Sequence, residues 1–408
     1  MSQHRRGFRV RGVGKALPPF RDDFIDVEAL SGIAVFAAAI AALVWANVAT
    51  GSYTTFWHHH LDLSFGSVDL DLSRAHWITD GLMTVFFFVV GLEIKREVVR
   101  GELRDPRTAS LPVIAAIGGM AVPALFYFAV NAGEPTAKGW AIPMATDIAF
   151  AVGVLAILGP RVPRRLKLFL LTLAIVDDIG AIVVIAVFYS DGIGFGWLAA
   201  ALGAIAVVLL MQRLGVASPW AYVLPAVALW LFVDQSGVHA TIAGVVLGLL
   251  TPARPYGGKQ VIEGLEHRIH PWSSFVVVPL FALANAGVVI DSESVRRAAS
   301  SSVALGIVLG LVIGKPLGIT LATWLGTKAR VGRLPEGLDW RHVVGLGAVA
   351  GIGFTVALFV DDLSFVGPTF DDAVMGILAG SLLSGIIGAV ILGTGRAARR
   401  AAEEAPAP

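Results

Sequence analysis

The 408-residue chain has no cysteine. That excludes a disulfide framework, a cysteine-ligated zinc or iron–sulfur site and a thiol nucleophile. Charge is also scarce. Only 15% of the residues are Asp, Glu, Lys or Arg, against about 25% in ordinary soluble domains. No P-loop pattern is present, so nothing points to ATP drive, and any work would come from an ion gradient or the membrane potential. What takes the place of charge is hydrophobic. Such residues make up 56% of the chain, the mean hydropathy is +0.76, and long apolar runs recur from Leu30 to Leu392. One water-soluble core could not hide so many long segments, whereas lipid solvates them. A soluble enzyme, a disordered scaffold and a nucleic-acid-binding domain are excluded. So is an outer-membrane barrel, whose strands alternate over roughly ten residues.

Apolar stretches of spanning length fall near 29–49, 76–93, 109–131, 139–158, 166–189, 195–212, 219–234, 237–251, 272–290, 303–325, 342–361 and 373–393. They predict an all-α integral membrane protein of twelve transmembrane helices. A basic tail occupies 1–28, the helical domain 29–395 and a second tail 396–408. The first apolar stretch is long and lacks a small-residue cleavage site, so it reads as a retained span rather than a signal peptide. Lysine and arginine placement tests the count. With the N-terminus inside, 26 of the 31 basic residues fall on inner segments, four on outer loops, and Lys315 within a span. The positive-inside rule then puts both termini in the cytoplasm. Residues 61–72 alternate with period two around Gly66-Ser67, which predicts a periplasmic β-hairpin. Its open edge either pairs with a second copy or lies on its own bundle.

Ionisable groups deep in a bundle are costly and by default mark function. Asp80, Asp147, Asp177, Asp178 and Lys315 qualify, and Glu93 lies near the inner end of its helix. Asp177-Asp178 sits near the middle of an otherwise apolar span. Successive helical residues point about 100° apart, so one carboxylate can face a cavity while the other faces a neighbouring helix. Each can hold a proton or a hard alkali cation. In Ile142-Pro143-Met144-Ala145-Thr146-Asp147, Pro143 removes a helical hydrogen bond and two side-chain oxygens follow. The span is either broken there or kinked, with Asp147 as an internal cap. Lys315 either pairs with an acid, loses its proton, or offsets the negative ends of half-helices. Gly351-Ile352-Gly353 marks a second break. The two interrupted spans, the fourth and eleventh, are seven helices apart. Seven is odd, so three-helix repeats (3–5 and 10–12) would have inverted topology, as around a secondary transporter's midplane site.

Taken in order, Ala145–Ala151, Leu173–Ile182, Ser236–Thr241, Gly314–Gly318 and Gly351–Thr355 resemble the NhaA-type sodium/proton antiporters from about residue 24 to 395. That family is itself a type example of inverted repeats with interrupted helices. The resemblance implies that helices 4 and 11 are unwound and cross at mid-membrane. It implies Asp178 as main sodium or lithium ligand and proton carrier. Asp177 would be its partner, alternately protonated or paired with Lys315, and Thr146 would lend an oxygen. Asp147 and Lys315 would balance the half-helix dipoles, with Gly351 and Gly353 in the unwound helix. It further implies electrogenic exchange of sodium or lithium for protons in a bacterial inner membrane, for pH and sodium homeostasis. No cofactor and no enzymatic activity are expected, and the hairpin would join two subunits.

Glu93, Arg96, Glu97, Glu266, His267 and His270 look like the family's pH-response region, with His239 as a further candidate; histidine titrates in the right range. A solvated cytoplasmic face is the other reading. His58-His59-His60 reads as an exposed loop without further metal ligands. Three rivals remain. A proton-coupled carrier of a small organic anion would hold its substrate on Lys315 and the half-helix N-termini. An intramembrane aspartyl protease needs two facing carboxylates, whereas Asp177 and Asp178 diverge. A passive channel has no use for buried titratable pairs.

Overall fold

The computed structural model describes residues 20–394 apart from 66–67, 191, 217 and 254–259. The basic tail over 1–19, the hairpin turn Gly66-Ser67, Arg254, Lys259 and the tail 396–408 lie outside the described residues. The rest is overwhelmingly helical. Seven helices are long and apolar enough to cross a membrane: Leu30–Val48, Arg74–Arg100, Pro106–Asn131, Arg164–Phe188, Phe195–Arg213, Ser302–Lys328 and Pro368–Gly393. Two further pairs are bent across a short break and bring the count to nine if each is one span. They are Pro135–Met144 with Ile148–Arg161, bent by 41°, and Trp340–Ala350 with Phe354–Ser364, bent by 46°. Thr241–Leu250 is a shorter apolar helix. The architecture is that of an all-α membrane protein with seven to nine spans by length and composition among the described residues.

Several boundaries differ from the hydropathy reading. The stretch expected at 272–290 is helical over 261–285 and extended after Ala286. Its first part, Val261–Trp272, buries Glu266 and His270 on one face, so hydropathy alone starts the helix too late. It stops where Tyr53 intrudes. The Tyr53 hydroxyl lies 2.7 Å from the Ala284 carbonyl oxygen, satisfying one of the orphan acceptors of a helix end. Helix Ser292–Ser300 was not expected at all. It is polar and begins at a reciprocal cap in which Asp291 accepts from the Ser294 amide at 2.7 Å, a signal invisible to a hydropathy count. The span expected to end at 361 continues to Ser364, which brings Asp361 inside the bundle.

The hairpin forms as antiparallel strands His60–Phe65 and Val68–Ser73, with Leu61 opposite Leu72 and Leu63 opposite Leu70. His60 Nδ1 lies 2.7 Å from Asp71 Oδ1, and no group of three metal-ligating side chains exists among the described residues.

Among the described residues, three π-helical turns shape the interior: Trp77–Leu82, Ser273–Val277 and Gly310–Gly314. Such turns insert an extra residue, re-aim the side chains that follow, and concentrate at functional sites. Asp80 lies within the first and Lys315 directly after the third. Helices Pro106–Asn131 and Ser302–Lys328 pack backbone to backbone. A Cβ on Gly118 would sit 2.4 Å from the Gly318 carbonyl oxygen. Small residues at the contact permit this approach and fix the depth at which Lys315, one turn earlier, enters the core.

Candidate functional site

Two unwound segments meet at the centre of the bundle. Ala145–Asp147 separates a 3-10 segment, Pro135–Met144, from helix Ile148–Leu158, and Gly351–Gly353 separates Trp340–Ala350 from Phe354–Ser364. Their backbones touch: the Asp147 amide donates to the Ile352 carbonyl oxygen at 2.7 Å. The Thr146 hydroxyl lies 3.0 Å from the Ala350 carbonyl oxygen and 2.6 Å from Asp177 Oδ2. The Ile352 and Ala350 carbonyls and the Asp147 amide thus find partners across the crossing, as a low-dielectric interior favours.

The charges follow the polarity of the half-helices. Asp147, almost fully buried, accepts from the Phe150 amide at 3.1 Å, the Thr355 amide at 3.1 Å and the Thr355 hydroxyl at 2.5 Å. One carboxylate thus serves the N-terminal ends of two half-helices, where the backbone dipoles favour negative charge. Lys315, fully buried, donates to the Met144 carbonyl oxygen at the closing end of the 3-10 segment, and to Asp177 Oδ2 at 2.7 Å. The Lys315 and Asp177 Oδ2 charges are hydrogen-bonded to each other, while the second Asp177 oxygen, Oδ1, is buried without a partner among the described residues.

Asp177 and Asp178 have different surroundings. Asp177 is sealed between Lys315 and Thr146 and does not line the central cavity. Asp178 does line it, and no protein hydrogen bond reaches its carboxylate among the described residues. The cavity holds about 50 Å³, room for a few waters. Thr146, Asp147 and Thr355 face it around Asp178; Glu28, Glu93 and His270 line it toward the side that carries Arg96 and Arg100. An accept-only carboxylate at a cavity of this size, beside hydroxyl and carboxylate oxygens, can take a proton or a small hard cation. Lys315, spent on Asp177 and a carbonyl, is not offered to an anion.

Of the remaining candidates, Glu93, Arg96, Glu97, Glu266 and His270 come together. Arg96 pairs with Glu266 and lies 3.5 Å from Glu97. His270 Nε2 is 2.7 Å from Glu28 Oε1 and 3.7 Å from Glu93 Oε1. His270 stands just before the expected apolar stretch. Burial opposes its charge, but the hydrogen bond and charge of Glu28, with Glu93 and Glu266, outweigh this and hold it above the usual histidine range. His267 points outward and His239 is elsewhere. His239 Nε2 lies 3.4 Å from Asp80 Oδ1, toward the hairpin side, and its ring meets Phe359 edge-on at 5.2 Å. Sequence reasoning missed Glu28. The signal that could have found it is an acid directly before the first apolar stretch.

A family described as Na+/H+ antiporter 1 has a sequence model that matches residues 22–392. The chain is also similar to the protein named Na(+)/H(+) antiporter NhaA 3 of Frankia alni, with 43% identity over 95% of this chain and 90% of that one. It is 46% identical to Na(+)/H(+) antiporter NhaA of Shewanella loihica and 47% identical to Na(+)/H(+) antiporter NhaA 1 of Klebsiella pneumoniae. Each of these comparisons covers 90% of this chain and 95% of the relative.

Proposed function

The chain belongs to the Na+/H+ antiporter 1 family and is a sodium/proton antiporter, and from that premise we propose how its residues divide the work. Asp178 is the exchange site. The observation that supports this reading is that its carboxylate alone of the central pair faces the cavity without a protein partner. A proton and a sodium or lithium ion compete for it, so loading one expels the other. Thr146, with Asp147 and Thr355, supplies further oxygen at the site. Asp177 and Lys315 form the partner pair: proton or cation arrival at Asp178 changes the field in which their ion pair sits. Asp147 and Lys315 hold the half-helix ends, and Gly351 and Gly353 let the second unwound segment approach.

The finer reading has twelve spans, inverted repeats over helices 3–5 and 10–12, and both termini on the cytoplasmic side of a bacterial inner membrane. It has more protons entering than sodium leaving, so exchange is electrogenic. The Glu93, Arg96, Glu97, Glu266 and His270 cluster adjusts exchange to cytoplasmic pH through the cavity it shares with Asp178. The hairpin edge pairs with a second copy.

The test is proton release from acid-loaded everted vesicles on adding sodium, lithium or potassium, from mildly acid to mildly alkaline pH. Native protein is compared with Asp178→Asn and Lys315→Ala. A sodium or lithium signal is expected in native protein and not in Asp178→Asn. A signal that survives Asp178→Asn places the ion site elsewhere. A coupling that carries no net charge removes the electrogenic part.

A further inference from the structure

Asp361 is a buried acid that the exchange site does not use. It lies on Phe354–Ser364, seven residues beyond the second break and so about 10 Å out along the half-helix, toward the hairpin side. It is completely buried, and neither of its carboxylate oxygens has a hydrogen-bond partner among the described residues. An ionised carboxylate left so is strongly disfavoured.

Its surroundings show which form fits. Tyr127 and Tyr189, from the two helices behind it, are within electrostatic reach. Each has a single hydroxyl hydrogen, and each gives it away: Tyr127 to the Thr136 carbonyl oxygen at 2.9 Å, Tyr189 to the Lys138 carbonyl oxygen at 2.7 Å. Neither hydroxyl hydrogen is left for Asp361, and no hydrogen bond joins either hydroxyl to it. A carboxylate only accepts, whereas a carboxylic acid also donates one hydrogen. Among the described residues no donor is left for a carboxylate here, so the site tolerates Asp361 as the uncharged acid. The other charged groups nearby are Asp362 and Asp371, both partly exposed. Asp371 is 3.9 Å from Arg297, and the exposed Lys138 sits over the Phe365 ring rather than on Asp361.

We propose that Asp361 is a second proton-binding site of this antiporter, an outer carboxylic acid that takes protons from the hairpin side and passes them toward the core. In each passage its O–H bond breaks as the proton moves to water on the core side, and a new O–H bond forms with a proton from hairpin-side water. Along Arg164–Phe188 and its capping residue, Tyr189 stands eleven residues beyond Asp178, about 16 Å outward, which places Asp361 upstream of the exchange site for entering protons. The direction of flow rests on the reading of Asp178; the occupancy of Asp361 does not.

The experiment is infrared spectroscopy on the full-length protein in liposomes, with sodium-driven proton flux on the same preparations. A protonated-carboxyl stretch is expected in native protein, with one component that persists in Asp178→Asn and is lost in Asp361→Asn. In native protein it shifts on transfer to deuterium oxide during turnover. Asp361→Asn is expected to slow exchange several-fold when protons are scarce on the hairpin side, with the sodium KM unchanged. No such band in native protein, a band that never exchanges with solvent, or an unaltered flux in Asp361→Asn would each overturn the proposal. The first two readings need no variant to fold. Transport that survives Asp178→Asn breaks the exchange-site reading instead, and leaves the Asp361 band standing.

Discussion

The two interruptions at the centre of the bundle look alike on a helix map and are built in opposite ways. Ala145–Asp147 is filled with side chains: Thr146 reaches Asp177, and Asp147 reaches Phe150 and Thr355. Gly351–Gly353 is emptied of them. A Cβ on Gly351 would lie 2.4 Å from the Leu311 carbonyl oxygen, and the contribution of Ile352 to the crossing is its backbone carbonyl. One break supplies charge and the other supplies nearness. A pair of half-helices buried away from water needs both, because their ends carry partial charges and their freed backbone groups need partners close by.

The largest break in this comparison should come from Asp147→Ala. It strips the acceptor from two backbone amides and one hydroxyl at once, all buried. Each orphaned donor costs roughly 1–3 kcal/mol, so the variant should lose about 3 kcal/mol or more and exchange should be abolished. Thermal unfolding in detergent, beside vesicle transport, checks both. A variant as stable as native protein would mean that Thr355 and Phe150 do not depend on this carboxylate.

How far the crossing could be read from sequence follows the same division. The charged break announced itself, since Pro143 and Thr146-Asp147 are out of place in an apolar span, as are Asp177-Asp178 and Lys315. The emptied break was legible only through its position relative to the first, because glycine pairs are common in membrane helices. Partners were another matter. That Asp177 and not Asp178 takes Lys315 depends on the helix phase set by the π-turn Gly310–Gly314 and the Gly118–Gly318 contact, and no hydropathy window carries phase. The Val261–Trp272 helix was missed because its buried face is polar. Asp361 was read as the end of a span because the count stopped where charge began.

The emptied break can be sharpened by adding a single methyl group at each end. Gly351→Ala meets a backbone carbonyl oxygen at 2.4 Å, which cannot yield without moving the Ser302–Lys328 helix. Overpacking of this kind costs about 1–3 kcal/mol. Gly353→Ala meets its nearest atoms at 3.1–3.2 Å, among them the Ala145 carbonyl oxygen and the movable Leu311 side chain. It should cost less than about 1 kcal/mol and keep measurable exchange. Equal losses in the two variants would show that Gly351–Gly353 is needed for flexibility rather than for room.

The smallest effect separates the breaks by pH. Asp147 lines the cavity that also meets Glu28 and His270, whereas Gly351 and Gly353 do not. Because Glu28 holds the His270 imidazole above the usual histidine range despite its burial, their bridge contributes fully below the unfolded histidine value, about 6.5. It is lost as pH rises through the higher folded value. Alkalinisation should therefore release the start of the first helix from Val261–Trp272. Hydrogen exchange measured across that pH range is expected to rise around Glu28–Ser31 and Val261–Trp272 beyond the intrinsic rate increase. Trp340–Ala350 should keep its protection, and Glu28→Gln should erase the difference between the two regions. An equal rise on both would mean that the glycine break feels the cavity's charge after all, so that charge and nearness would no longer be separate contributions of the two interruptions.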